Sequence, residues 1–235
     1  MWKKIKKFAQ ISCQHNMYAG VGLTLEHLDF NVPPWVVHQQ WDFPSKTEQE
    51  LKIINANVDQ ILFTSHFPFP TSRKEAIIGT GRGMWDKFVR RFSKTIFYRS
   101  MEMRYIDEVS WEETPIYQKS LQKINKGNKK GWGTSGSVTY LQKKCDSMDQ
   151  LYESIKKEGY KSNIENKWNK SISGIPIPDE IKLAINRNGK FIRMDEGRHR
   201  LAIAKILNIS TIPAIVQLEH KKHSRDVDVL RKIKS

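Results

Sequence analysis

The sequence predicts an α+β fold: a small mixed β-sheet flanked by helices in the C-terminal half, preceded by an N-terminal extension. Three observations carry this. Ile181, Leu183 and Ile185 alternate as in a strand. Asn188-Gly189, just beyond them, is the dipeptide of tight β-hairpins. Helical spacing recurs on both sides of that hairpin, in Met148, Leu151, Tyr152 and Ile155 before it and in the segment 197–207 after it.

Taken in order, the first 45 residues, with Pro33-Pro34, Pro44, Trp35, Trp41 and Phe43, read as loops that pack. A helix is predicted next. Thr47 and Glu50 have capping-box spacing, and Leu51, Ile54, Val58 and Ile61 follow at helical intervals. His66-Phe-Pro-Phe-Pro-Thr-Ser72 breaks regular structure, and Gly79, Gly81 and Gly83 make a flexible stretch. A second helical pattern is Trp85, Phe88, Val89, Phe92 and Ile96, with the aromatic members expected in the core. Thr114-Pro115 opens a helix as N-cap and first helical residue, with Tyr117, Leu121 and Ile124 on one face. The Gly-, Lys- and Ser-rich stretch 126–137, with Lys126, Lys129 and Lys130, is expected to be a mobile basic lid. Ser147 and Gln150 form a capping box for a helix that Gly159 closes. Strands are predicted at Ile181–Ile185, 191–194 and 214–218, with a helix over 197–207 ended by Asn208. The tail from His220 is basic and expected to be a short helix. The division that follows is 1–105, of unassigned fold, and 106–235, which holds the predicted sheet.

The 235 residues suffice for one large domain or two small ones. The longest apolar run, 201–204, is far short of the roughly 20 residues of a membrane-spanning helix. Met1-Trp-Lys-Lys-Ile-Lys-Lys-Phe8 has no apolar stretch behind its charges, so it is not read as a secretory signal. Cys13 and Cys145 cannot make a disulfide framework, and a cytoplasmic location is expected. Forty Lys and Arg against 25 Asp and Glu give a net charge of +15. Such a field attracts polyanions without choosing among them, and it also serves plain solubility.

The segment that carries chemistry is Phe191-Ile-Arg-Met-Asp-Glu-Gly197-Arg198-His199-Arg200-Leu-Ala-Ile-Ala-Lys205. A strand runs into a glycine, a cluster of cationic and imidazole side chains, and a helix. Free N–H groups at a helix start carry partial positive charge and suit a phosphate. Gly197 lets a phosphate approach the backbone, Arg198 or Arg200 can fork two hydrogen bonds to it, and His199 can add another. Ala202 and Ala204 allow the helix to lie close to the sheet. An ordinary surface helix with solvated charges is the plainer reading. Arginine at a helix N-terminus opposes the dipole, which favours a functional role.

Asp195-Glu-Gly-Arg-His-Arg-Leu-Ala-Ile-Ala-Lys-Ile-Leu-Asn-Ile-Ser-Thr-Ile-Pro-Ala-Ile-Val216 resembles the signature of the ParB/sulfiredoxin-like superfamily, whose members carry Gly-x-His-Arg, Gly-His-His-Arg or Gly-Glu-Arg-Arg at this turn. Leu151-Tyr-Glu-Ser-Ile-Lys-Lys-Glu-Gly-Tyr160 is similar to the superfamily's preceding helix. The resemblance covers about residues 145–218 and implies a ParB/sulfiredoxin-like core. It does not select an activity, since members include CTP-dependent DNA clamps, ATP-dependent sulfinic acid reductases, and ADP- or ATP-dependent kinases of free serine. Arg198 stands where the reductases have cysteine, which argues against that chemistry. The clamps have Gly-Glu-Arg-Arg where this chain has His199, and about 17 residues after the last predicted strand leave no room for their helix-turn-helix domain. The kinases' Asp-Gly-His-His-Arg is the nearest match, with Glu196 as an insertion between Asp195 and Gly197. Trp85-Asp86, Trp111-Glu-Glu-Thr114 and the stretch to Arg200 also resemble a group of archaeal proteins that tend to be encoded among surface-glycan genes.

The resemblance implies a nucleotide-dependent phosphotransferase acting on a small hydroxyl compound or surface-glycan component. Gly197, Arg198, His199 and Arg200 would hold the phosphates, with His199 also catalytic, of ATP or ADP ahead of CTP, with Mg2+. Glu112 or Glu113 would act on the acceptor hydroxyl, as a Glu before an early helix does in the serine kinases; acidic residues also simply favour helix starts. Asp195 and Glu196 are the next choice, as acceptor or Mg2+ ligands. His220-x-x-His223 and Cys13-x-His15 have metal-like spacing but no matching neighbours, so no metal site is expected. No Walker A or Cys-x-x-Cys element occurs. A ParB-like DNA-binding or DNA-processing module is the alternative reading of the charge, and a nucleotide-binding regulator without turnover is a third.

Overall fold

The computed structural model describes residues 41–42, 53–65, 79–81, 83–87, 89–127, 132, 136–162, 169–172, 175–178, 180–194 and 197–223. Its strands are β1 (Trp41–Asp42), β2 (Ile53–Asn57), β3 (Ile61–Ser65), β4 (Gly79–Gly81), β5 (Val89–Arg91), β6 (Asn169–Ile172), β7 (Ile175–Pro178), β8 (Ile181–Ile185), β9 (Phe191–Arg193) and β10 (Thr211–His220). Its α-helices are α1 (Ile96–Tyr105), α2 (Pro115–Asn125), α3 (Val138–Glu158) and α4 (Arg198–Ile206). The fold is mixed, with helices packed on a mixed sheet, consistent with α+β.

The sheet grows around β8 and β10, which run parallel, with a bulge between Val216 and Leu218. β8 turns back into β9 as the predicted hairpin. Asn186 organises that turn, its Oδ1 accepting from the N–H groups of Asn188 at 2.9 Å and Lys190 at 2.8 Å, with Gly189 taking the left-handed conformation. β9 pairs in parallel with β3, and β3 antiparallel with β5. On its other edge β10 takes β2 antiparallel at 211–215 and β4 parallel at 218–220, and β4 takes β1. β6 and β7 form a separate two-stranded ribbon. The sheet thus draws strands from both sides of position 105, where the predicted domain division falls.

All five residues of β8 are buried, so both faces of the sheet are covered. One face meets the helices. Ile61, Ile181, Leu183, Ile212 and Ala214 pack there against Leu201, Ala202 and Ile203 of α4 and against α1, α2 and α3. Trp85, Ala184, Ile192, Met194 and Leu218 cluster on the other. Polar bonds join the helices. Ser100 Oγ accepts from the Ile116 N–H at 3.0 Å, linking α1 to α2. Asp149 of α3 accepts from Arg104, from the Tyr105 hydroxyl and from the Trp111 indole.

Four expectations are corrected. The helix predicted over 51–61 is β2, one 3-10 turn (Val58–Gln60) and β3. Apolar residues three and four apart also suit two short strands joined by a turn, and the free edges of β10 and β9 decide the outcome. Thr47 and Glu50 lie outside the described residues. The second helical pattern breaks into a 3-10 turn (Trp85–Lys87), β5, another 3-10 turn (Phe92–Lys94) and α1, with Trp85 and Phe92 buried as expected and Phe88 outside the described residues. Gly79–Gly81 is strand, not a free loop. The helix placed at Ser147 begins ten residues earlier, where Ser137 Oγ accepts from the Tyr140 N–H, so Ser147 and Gln150 lie inside α3. Gly159 closes it as predicted. The N-terminal segment apart from β1, the segment 66–72, the lysines 129 and 130 of the expected lid, and the tail beyond His223 lie outside the described residues.

Candidate functional site

The turn into α4 is built around Gly197. It caps the helix at φ +78°, a left-handed backbone, and its carbonyl accepts the first helical bond from Leu201 at 3.0 Å. A Cβ at this position would lie 2.6 Å from Ile181 Cγ1 and 2.9 Å from Ile181 Cα. Two constraints therefore converge on glycine: the sign of φ, and the approach of the turn to the first residue of β8. The helix starts directly over the sheet, and Leu201 to Ala204 are fully buried behind it. No acidic residue occupies its first turn and no side chain caps it.

The three residues after Gly197 take separate environments. Arg198 is exposed, its guanidinium 5.1 Å from the centroid of the Phe97 ring. His199 points inward, its ring edge-on to Phe97 at 5.1 Å. Its Nε2 is buried with no hydrogen-bond partner among the described residues. Desolvation, then the charges of Arg198, Lys144 and Arg193, bring its pKa down to about 3, so the imidazole is neutral at physiological pH. Arg200 lies against Glu180, Nη1 to Oε2 at 3.2 Å, and above the Tyr160 ring. The Glu180 side chain is fully buried. A buried carboxylate requires such a cation, so Arg200 anchors α4 to the entrance of β8.

Two cations that the motif does not include join the group. Lys144 of α3 has its pKa lowered, by burial first and then by Arg198, with Tyr140 acting the other way. Arg193, buried at the end of β9, donates through Nε and Nη2 to Thr64 Oγ1 at 3.1 and 2.7 Å and lies over Phe92. Three elements thus direct positive charge at one neutral imidazole. In the sequence, Arg193 is visible as a charge one step from a predicted strand's core position. Lys144 gives no signal there, because the capping box at Ser147 places the helix start after it.

Glu112 and Glu113 stand on the 3-10 turn Trp111–Glu113, both exposed. Glu113 accepts from the Ser110 hydroxyl at 3.0 Å. Thr114 precedes α2 as predicted, but its hydroxyl donates back to the Trp111 carbonyl at 2.6 Å. A row of rings runs from this turn to α4: Trp111 against Trp132 at 5.3 Å, Trp132 against Phe97 at 6.1 Å, and Phe97 against His199. Glu112 acts electrostatically on Cys145, the residue after Lys144. Burial, reinforced by Glu112, Asp149 and Asp146, pushes that thiol up to about 12, so Cys145 is an inert core residue. Asp195 and Glu196 lie outside the described residues, as does Cys13.

His220 is structural. Its Nδ1 accepts from the Lys222 N–H at 3.1 Å, which makes Nε2 the donor to the Gly83 carbonyl at 3.1 Å. His223 instead packs beside Gly189 and Glu219. Among the described residues no group of three or more His, Cys, Asp or Glu side chains could hold a metal ion. No described helix is long and apolar enough to cross a membrane. No family model, curated protein or solved structure matches the chain.

Proposed function

We propose that this protein is a nucleotide-dependent phosphotransferase whose nucleotide phosphates lie at the start of α4, and whose acceptor is a small hydroxyl compound or a surface-glycan component. One observation carries the reading. Arg198, Lys144 and Arg193, from three different elements, act on His199, whose buried Nε2 has no hydrogen-bond partner among the described residues. Positive charge brought to one place from three elements attracts an oxyanion. The N–H groups of the first turn add to the attraction.

The residues then divide the work. Arg198 and Lys144 hold the phosphates. His199, neutral, donates from Nε2 to a phosphate oxygen and positions it, a role that suits its depressed basicity better than proton abstraction. Arg200 keeps the helix in place through Glu180. Glu112 or Glu113, exposed to an incoming acceptor, orients its hydroxyl. Positive charge fixed around a transferring phosphoryl group supplies the electrostatic stabilisation on which such reactions depend. Mg2+ would arrive with the nucleotide.

Calorimetry with ATP, ADP and CTP, with and without Mg2+, in about 150 mM salt tests this. Arg198→Ala and Lys144→Ala should each cost about 1.5–3 kcal/mol of nucleotide binding, the scale of a charge-assisted hydrogen bond. Wild-type affinity in both folded variants would remove the phosphate from this turn. Glu112→Gln or Glu113→Gln should leave binding intact and abolish transfer, and turnover at the wild-type rate in both would take the acceptor role away from this pair.

A further inference from the structure

The stretch 126–137 contains one large apolar side chain, Trp132, among glycines, lysines and small polar residues. That side chain is held in the core. Only 8% of its surface is exposed, its backbone N–H donates to Ser120 Oγ at 3.2 Å, and its ring packs against Trp111 and edge-on to Phe97. The indole nitrogen can only donate. In the neighbouring Trp111 it does so, to Asp149 Oδ1 at 3.0 Å. In Trp132 it is buried with no partner among the described residues.

Among the described residues, two buried nitrogen atoms therefore lack partners on rings that both pack against Phe97: Trp132 Nε1 and His199 Nε2. A buried donor left unpaired is destabilising, and native folds keep few of them without a reason. The Arg198 guanidinium lies over the same Phe97 ring. A donor-only indole, a neutral imidazole able to donate and a guanidinium together call for one kind of group: an anion with several acceptor oxygens.

We propose that Trp132 is a ligand-binding residue of the α4 site, donating its indole N–H to an oxygen of the same bound phosphate that His199 meets. This rests on the phosphate reading above and extends it to the 126–137 stretch, which contributes a hydrogen-bond donor held in place by packing.

The test uses the full chain with ATP and, separately, inorganic tripolyphosphate, measured by calorimetry in about 150 mM salt on the wild type and Trp132→Phe. Phenylalanine keeps a ring against Trp111 and Phe97 and removes the donor. Affinity for both ligands should fall about tenfold or more. The ligand-free unfolding midpoint should stay level or rise, because the unpaired donor is gone. Unchanged affinity in a folded Trp132→Phe protein overturns the proposal and leaves the phosphate site standing. If that variant does not fold, the seven indole N–H resonances of the wild type serve instead. One should move downfield and exchange more slowly when tripolyphosphate is added, and seven unmoved signals overturn the proposal. A wild type that binds neither ligand overturns both this inference and the functional reading beneath it.

Discussion

Gly197 shows how a single residue can be fixed by geometry alone. Alanine there meets two penalties, a left-handed backbone and a clash with the Cα and Cγ1 of Ile181. At Gly127, φ is also positive, but nothing lies within 4 Å of where a Cβ would stand. Gly127→Ala should cost about 1–2 kcal/mol, the backbone penalty alone, whereas Gly197→Ala should cost clearly more and shift α4. Urea unfolding of the two variants measures the difference, and equal losses would mean that Ile181 yields freely. His199 makes a second residue-level prediction. Its folded pKa of about 3 lies below the ordinary histidine value of about 6.5. Between these values the unfolded chain binds a proton that the folded chain refuses. The stability contributed by neutral His199 is complete above about pH 6.5 and is lost as pH falls towards 3, at up to about 1.4 kcal/mol per pH unit. Carboxylates also titrate there, so the quantity to measure is the wild type minus His199→Gln. A flat difference from pH 7.5 to 5 would mean that water reaches the ring.

At the level of elements, charges far apart in sequence hold the pieces together. Asp86, in the 3-10 turn before β5, takes two side-chain hydrogen bonds from Arg187 at 2.6 and 2.8 Å and a third from its backbone N–H. Arg187 also donates to the Gly83 carbonyl, which His220 caps from the end of β10. Burial of Asp86 works to raise its pKa, but the hydrogen bonds and charge of Arg187 outweigh it and hold the carboxyl below its usual value. This contact pins the β8–β9 hairpin to the turn preceding β5. Asp86→Asn removes the charge and leaves Arg187 without its counter-ion, at an expected cost of about 3–5 kcal/mol in equilibrium unfolding. Asp86→Asn with Arg187→Leu should cost less than the single change, and a simple sum of the separate effects would argue against a coupled pair. Trp85-Asp86 is legible as a motif, but its partner 101 residues away is not.

For the whole molecule, the question is whether +15 is a diffuse field or a localised site. Duplex DNA held by scattered lysines and arginines should lose affinity steeply with salt, at a log–log slope near −0.9 for each phosphate contact. It should be weak by about 150 mM, where exposed charges are screened beyond roughly 8 Å. Nucleotide held against the α4 turn should survive there. Two salt titrations, one with a mixed-sequence duplex and one with a nucleotide, compare them directly. Submicromolar duplex affinity persisting at physiological salt, with no nucleotide affinity, would favour the ParB-like DNA-binding reading.

The local features of the C-terminal third are legible because they rest on near neighbours. Alternating large apolar residues mark β8, turn chemistry marks the hairpin, and Gly159 and Asn208 mark helix ends through their backbone geometry. The stretch 51–61 shows where such reasoning stops. Its apolar spacing fits a helix as well as two strands, and only the unpaired edges of β10 and β9, supplied by residues about 130 to 160 positions later, make strands the better solution. The same holds at the site. Gly197 and the residues beside it can be named from the chain alone, because the strand-to-helix turn is local. That Arg200 is committed to Glu180, that Lys144 and Arg193 bear on His199, and that two ring nitrogens around Phe97 are buried with no partner among the described residues depend on packing between distant segments. Desolvation and charge act through space, and their sources here enter the chain on three different elements.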